Sequence, residues 1–426
     1  MFRVSDKGWM LRHGLGLVCA ALVLIFAALH ALAPHTYLFF TRIPDGAAKL
    51  HPFVDLRAIL QGGACWRQGV DVYRPSACLD GGVFNYSPLL LRVAYLPIGP
   101  EDTLVGGLLF CAAYAAALAT LPPPRNGKEW ALYAACAFSP VAYYALEQGN
   151  LDALIFALIV LALRLPWRWR AGAYAIFAAG AAAKFYPASL FILALRESRR
   201  MLTLLAGAGG IALALAVLLY GPDLLSAVVQ LPSGTPFRAS FGRIDLPRGL
   251  AMLHFWPRNH TQLDGWALAL LALGISAWRR PAWHQALGQL AEDEALFLVA
   301  GAAVISFCFM TAQNIEYRAI FLLLALPALV RLAGWRVEFL PLPWVVVALL
   351  WEAVPRAALA GLIQPYYPTP LTFAFWLLRE ALWWWLMVEL LAALLAFAAQ
   401  KLTSLAGAHI GNVRMQPQPT GPDHDR

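Results

Sequence analysis

Charge is what this sequence has least of. Only 13% of its 426 residues are Asp, Glu, Lys or Arg, against 61% hydrophobic, which leaves too little polar surface to coat a water-soluble globule of that size. The chain therefore reads as a polytopic membrane protein. No run of lysines and arginines marks a nucleic-acid groove, and the net charge of +8 belongs to topology, because basic residues gather at the cytoplasmic ends of spans. Metal-ligand spacing is missing as well. The six cysteines include no CxxC and no Cys/His cluster, so neither a metal nor a cofactor is expected. Cys19, Cys111, Cys136 and Cys308 sit in apolar runs as small hydrophobes. Only Cys65 and Cys78 share a polar loop, and in an oxidising compartment they would close a small ring around Asp71 and Tyr73.

Long apolar runs are what the chain has in plenty. Arg3, Lys7 and Arg12 precede a run at 14–33, long enough at about 1.5 Å per residue to cross a hydrocarbon core of about 30 Å. That order puts the N-terminus in the cytoplasm. Ala31-Leu32-Ala33 resembles a cleavage site, but the run exceeds the usual signal core of about 7–15 residues, so an uncleaved first helix is expected. Further runs lie near 103–121, 130–146, 150–164, 201–220, 264–278, 295–311, 317–334, 341–360 and 381–399. With Arg125/Lys128, Arg164/Arg168/Arg170, Arg196/Arg199/Arg200, Arg279/Arg280, Arg331/Arg336 and Lys401 in the cytoplasm, nearly every short connection obeys the positive-inside rule. The connections 34–102, 147–150, 221–263, 312–316 and 361–380 then face outward together.

Residues 171–195 have basic flanks at both ends but length for one crossing, so two half-helices meeting at Lys184-Phe185-Tyr186-Pro187 are expected. Ser87 and Pro88 read as an N-cap and first helical residue, and Gly99-Pro100-Glu101-Asp102 as a break. The expected fold is an all-α polytopic membrane bundle of about 10–12 transmembrane and re-entrant helices around an outward-facing cavity. It forms one domain over 1–408, with a first outward loop at 34–102 and a disordered cytoplasmic tail at 409–426.

The stretch PFVDLRAILQGGACWRQGVDVYRPSACLDGGVFNYSP, from Pro52 to Pro88, holds more polar chemistry than a connection needs. Asp55, Asp71, Tyr73, Tyr86, Glu147, Gln148, Asn150, Lys184, Arg238, Arg243, His254, Arg258, His260, Glu316, Tyr317 and Arg318 all fall at the same outward face. Ionisable groups at membrane depth cost about 2.5–3.5 kcal/mol each on insertion scales and usually line cavities or pair with one another. Structural readings stand beside the functional ones. Asn150, after Gly149, can simply cap a helix, and Asp71 can make a local turn. Glu352 and Arg356, at i,i+4, read as a buried structural pair. Trp383, Trp384 and Trp385, beside Arg379 and Glu380, read as an interfacial aromatic belt.

Asp55, then Gly69-Val70-Asp71-Val72-Tyr73, then Phe84-Asn85-Tyr86-Ser87-Pro88, with Glu147-Gln148-Gly149-Asn150 and Lys184-Phe185-Tyr186-Pro187 following in order, resembles the multi-span GT-C glycosyltransferases, most closely the GT87 group. The resemblance covers about the first 200 residues, and Ser87 departs from a proline common there. It implies a GT-C-like bundle that transfers a hexose, mannose by the group's habit, from a polyprenyl-phosphate donor to a lipid or glycan acceptor, with inversion. The site would lie on the outer face of a membrane, of the bacterial inner-membrane kind. The residues support such chemistry. Asp55 is the candidate general base, and Lys184, with Arg238 and Arg243, the candidate phosphate holder. Asp71, Tyr73, Tyr86, Glu147, Gln148, Asn150, His254, Arg258, Glu316 and Arg318 are candidate substrate contacts. A transporter or flippase of lipid-linked sugars is the alternative, though internal repeats typical of that class are not evident.

Overall fold

A run of apolar residues with few breakers folds as helix wherever backbone groups have no water to bond, and a computed structural model of the protein shows this along almost the whole chain. It describes residues 6–44, 51–229, 235–360 and 368–413. The first half contains α1 (Asp6–Leu32), α2 (Pro34–Arg42), α3 (Val54–Arg67), α4 (Thr103–Leu118), α5 (Gly127–Ala137), α6 (Pro140–Glu147), α7 (Leu151–Arg164) and α8 (Arg170–Ala183). The second contains α9 (Arg199–Val229), α10 (Asp245–Met252), α11 (Thr261–Leu287), α12 (Glu292–Thr311), α13 (Leu322–Ala333), α14 (Leu342–Leu350), α15 (Ala353–Ala360) and α16 (Pro370–Val413). Two short strands, β1 (Ser240–Phe241) and β2 (Asn314–Ile315), pair antiparallel. The fold is that of an all-α polytopic membrane protein.

Among the described residues, five helices are long and apolar enough to cross a membrane unaided: 8–32, 100–118, 199–227, 292–311 and 370–403. The run 264–278 lies within the unbroken α11, whereas several of the others are interrupted. Ser139 caps α6 through Ala142 N at 3.3 Å, with Pro140 following, so the run 130–146 is a helix broken near its middle. A bend of 107° between α6 and α7 turns the chain back at Gln148-Gly149-Asn150, and α15 leans 53° from the segment before it. The 3₁₀ segments Pro88–Tyr95, Tyr186–Arg196 and Glu316–Phe321 also replace parts of expected helices. Ser87 does cap the first of them, accepting from Leu89 N at 3.3 Å.

The segment 171–195 is a hairpin, as its charges imply. α8 rises to Ala183, Lys184 leaves the helix in an extended conformation, and the Tyr186–Arg196 turn descends beside it. Its two ends meet again where Arg170 pairs with Glu197 at 3.3 Å. At this same end the acidic first turn of α12 collects one arginine after another. Glu292 takes Arg196 at 2.6 Å, Asp293 takes Arg164 at 3.1 Å, and Glu294 takes Arg331 at 2.7 Å and Arg125 at 3.4 Å. Carboxylates at a helix N-terminus also suit the helix dipole. α12 is the axis of the bundle, packed by α13, α16, α7 and the Tyr186–Arg196 turn.

Two expectations need correction or a boundary. Trp383 is 3% exposed and stacks on Phe241, with ring centroids 4.3 Å apart, while Trp384 meets Phe309 edge-on at 4.9 Å. These tryptophans are core, not an interfacial belt, because α16 begins at Pro370 and carries them inward to β1 and α12. Arg379 and Glu380 are buried with them and pair at 2.9 Å. Arg379 also donates to the Pro236 and Arg238 carbonyls at 2.6 and 2.7 Å. At the C-terminus α16 runs to Val413, so the boundary drawn at 408 falls within a helix, and 414–426 lie outside the described residues.

Candidate active site

The end of the bundle opposite the arginine belt holds a chain of charged and amide groups. α3 lies there as a short helix whose first turn carries Asp55, and its entry is pinned by backbone bonds to the α6–α7 turn: Phe53 N donates to Glu147 O at 2.7 Å and Asp55 N to Gln148 O at 2.9 Å. Close approach requires special backbone on both sides. Phe53 has φ 62°, and Gly149 has φ +58°, where an added Cβ would stand 2.9 Å from the Phe53 Cβ. Gly107 on α4 gives the Phe53 ring its seat, since a Cβ there would lie 2.2 Å from that ring. Non-glycine residues with positive φ cost about 1–3 kcal/mol and persist only where surroundings impose them. Here they place Asp55 opposite Asn150.

Asn150 then joins two charges. Its amide nitrogen donates to Asp55 Oδ2 at 2.5 Å, and its oxygen accepts from Lys184 Nζ at 2.9 Å and from Asp152 N at 2.9 Å, the last being the N-cap of α7. The amide can face only one way in such a setting, oxygen to ammonium and nitrogen to carboxylate. Lys184 Nζ also bonds Asp152 Oδ1 at 2.5 Å, and the Tyr186 hydroxyl bonds the same oxygen. Asp152 Oδ2 faces Arg318 Nε at 3.6 Å, and Arg318 Nη1 donates to Asn314 Oδ1 at 2.5 Å. The Tyr86 and Tyr317 rings stand 6.0 and 5.8 Å from the Lys184 ammonium. Burial, reinforced by nearby Asp55, pushes the Tyr86 phenol well up, so it remains a neutral hydroxyl.

A chain of helices with this polar end invites comparison with membrane transferases. The family model of glycosyltransferase family 87 matches residues 86–311. The chain belongs to this family. No curated protein and no solved structure matches it. The protein is thus a family 87 glycosyltransferase, and the matched region contains Tyr86, Asn150, Asp152 and Lys184. Asp55 precedes that region and Arg318 follows it.

Of the residues singled out from sequence, the structure brings together Asp55, Tyr86, Asn150, Lys184, Tyr317 and Arg318. It sets the others elsewhere. Glu147 accepts from Tyr37 Oη at 3.2 Å and from Gln148 Nε2. Glu147 faces an apolar cavity of about 360 Å³ that reaches between α1, α4 and α6, with Phe26, Phe53, Leu108 and Phe138 among its walls. Asp71 accepts from Tyr73 N at 3.1 Å and pairs with Arg74 at 3.2 Å, a local turn, and Tyr73 meets Phe84 edge-on. Cys65 and Cys78 form the disulfide that closes this loop. Arg243 spends its donors on Met310 O, Gln262 O and Gln262 Oε1 at 2.6, 3.3 and 3.2 Å and lies over Trp266.

Arg238 lends its carbonyl to Arg379. Glu316 pairs with Arg356 at 2.8 Å, and Arg356 with Glu352 at 3.0 Å, inside the bundle. His254 and Arg258 are exposed on the segment joining α10 to α11. The cluster residue that the sequence did not single out is Asp152. A carboxylate in the first turn of the apolar LDALIF run was its available signal, since such a group needs a partner at membrane depth.

Proposed function

We propose that this transferase moves a hexose, mannose on the family resemblance, from a polyprenyl-phosphate donor to a lipid or glycan acceptor at the outer face of the membrane, inverting the anomeric centre. The observation that carries the reading is the hydrogen-bonded chain from Asp55 through Asn150 to Lys184, Asp152 and Arg318. It puts two carboxylates, two cations and three tyrosines within one cluster. Asp55 takes the proton of the acceptor hydroxyl as that oxygen attacks the anomeric carbon from the side opposite the phosphate. The bond from sugar to phosphate breaks, and the polyprenyl phosphate leaves with an added negative charge. Lys184 and Arg318 meet that charge as it develops.

Tyr86 and Tyr317 offer faces for a sugar ring. The apolar cavity walled by Phe53 is a slot for part of a prenyl chain. Under the positive-inside rule the arginine belt lies in the cytoplasm and Asp55 outside, as in a bacterial inner membrane.

The test uses purified protein and a polyprenyl-phosphate sugar. Asp55→Asn keeps the shape and removes the base, so transfer should fall by at least about 10²-fold with an unchanged thermal unfolding profile. Near-normal transfer in that variant would refute the role. Cysteines placed at 55 and 184 should react with membrane-impermeant reagents from one face only and be protected by the donor. A transporter would expose them from both faces during turnover.

A further inference from the structure

A second polar pocket, about 380 Å³ in volume, opens between α10, the Arg258–His260 turn and the start of α11. Arg248, Arg258, Thr261 and Gln262 line it above Ile244 and Ala251. Arg248 is held by a neutral partner, donating through Nη1 to Gln313 Oε1 at 3.0 Å, while Gln313 Nε2 donates to Asp245 Oδ1 at 2.5 Å. Neither Arg248 nor Arg258 forms an ion pair among the described residues. The nearby carboxyls are already engaged. Asp264 accepts from Trp256 Nε1 at 2.6 Å, and Asp245 lies buried beneath, where burial pushes its carboxyl up against the lowering pull of Arg379 and Arg248.

The pocket is distinct from the Asp55 cluster although the two are close in the chain's path. Gln313 reaches Arg248 and Asp245, whereas the next residue, Asn314, reaches Arg318. Successive residues in extended backbone point to opposite sides, so this step separates the two compartments. The surround is equally particular. Phe255 and Trp256, on the segment joining α10 to α11, and Leu263 and Trp266, at the start of α11, are exposed large side chains within a few residues in sequence of the pocket's lining, and aromatic side chains of this kind settle at the boundary between headgroups and acyl chains. Two guanidinium groups suit a phosphate, and the exposed apolar ring suits a hydrocarbon body attached to it.

We propose that this pocket binds the phosphate headgroup of an anionic lipid at a site separate from Asp55. The inference does not depend on the sugar or on the transfer reaction. Purified full-length protein in detergent is offered dioleoyl phosphatidic acid or dioleoylglycerol, which differ only by the phosphate, and retained lipid is counted by native mass spectrometry. The wild type should retain the phosphatidic acid at least about tenfold better, a free-energy gap of about 1.4 kcal/mol. R248Q/R258Q should abolish the preference, and R258Q alone, at an exposed position, should weaken it without affecting folding.

Lys184→Ala, which removes a cation from the Asp55 cluster, should leave the preference intact. Equal retention by wild type and R248Q/R258Q would overturn the site, and loss of the preference in Lys184→Ala would assign the lipid to the other cluster and overturn it as well. Inorganic phosphate in large excess should compete poorly. Displacement of the lipid by inorganic phosphate at matched concentration would show that the pocket reads phosphate alone, and would overturn the lipid assignment.

Discussion

Asn150 shows how one side chain serves both a helix and the proposed reaction. Its oxygen caps α7 and accepts from Lys184, while its nitrogen holds Asp55. Asn150→Asp keeps a good cap but sets a carboxylate against Asp55, which raises the proton affinity of the base. Transfer should drop by about 10²-fold or more while stability changes little. Asn150→Ala should instead cost about 1 kcal/mol of stability through the lost cap as well as lowering activity. Thermal unfolding together with transfer rates separates the two.

Lys184 permits a similar comparison, because its charge is shared with Asp152. Lys184→Ala should lower transfer strongly and leave the Asp152 carboxylate with the Tyr186 hydroxyl and the more distant Arg318. Lys184→Arg should restore part of the rate, since the charge survives while the compact ammonium geometry does not.

At the scale of elements, α3 is a short helix at the Asp55 end of the bundle, positioned by contacts at both of its ends. Its N-terminus is fixed by the backbone of Glu147 and Gln148, and its C-terminal half by the disulfide from Cys65 to Cys78 and by Arg67, which donates to Ala94 O at 2.7 Å. Gly62 and Gly63 let it lie on Phe84 and Val93, where added Cβ atoms would come within 2.4 and 2.9 Å. Closing a loop of about 15 residues stabilises a fold by about 3 kcal/mol in the chain-entropy account. Reduction should therefore lower the unfolding temperature of the wild type and leave that of C65S/C78S unmoved. An equal response in both proteins would show that the bridge contributes nothing to holding α3.

At the scale of the whole molecule, the first turn of α12 ties α7, α13, the Tyr186–Arg196 turn and the approach to α5 into one end of the bundle. The contribution of each tie follows its burial. Glu294 and Arg331 have side chains 7% exposed, whereas Asp293 and Arg164 are 43% and 32% exposed. Glu294→Gln should cost about 1–3 kcal/mol by removing a buried charged partner of Arg331, which keeps Glu129 and the Pro123 carbonyl. Asp293→Asn should cost less than about 1 kcal/mol, because solvent screens that pair. Thermal unfolding of the two variants side by side checks the ranking.

The sequence by itself determined the membrane setting, the grouping of Asp55, Asn150 and Lys184 at one end of the bundle, the half-helices meeting at Lys184, and the Ser87 cap. These rest on transfer energies, charge asymmetry and local backbone bonding, all of which act over a few turns of chain. Only the tertiary structure decided that Asp152 partners Lys184, that Trp383 is core, and that Glu316 and Arg243 are held in structural networks. Those outcomes depend on which helix lies beside which, and no local pattern records it. Asp55 and Asn150 stand 95 residues apart in sequence. They meet because Gly149 and Phe53 adopt backbone conformations that bring α3 down onto the α6–α7 turn, a fit that packing between distant segments imposes.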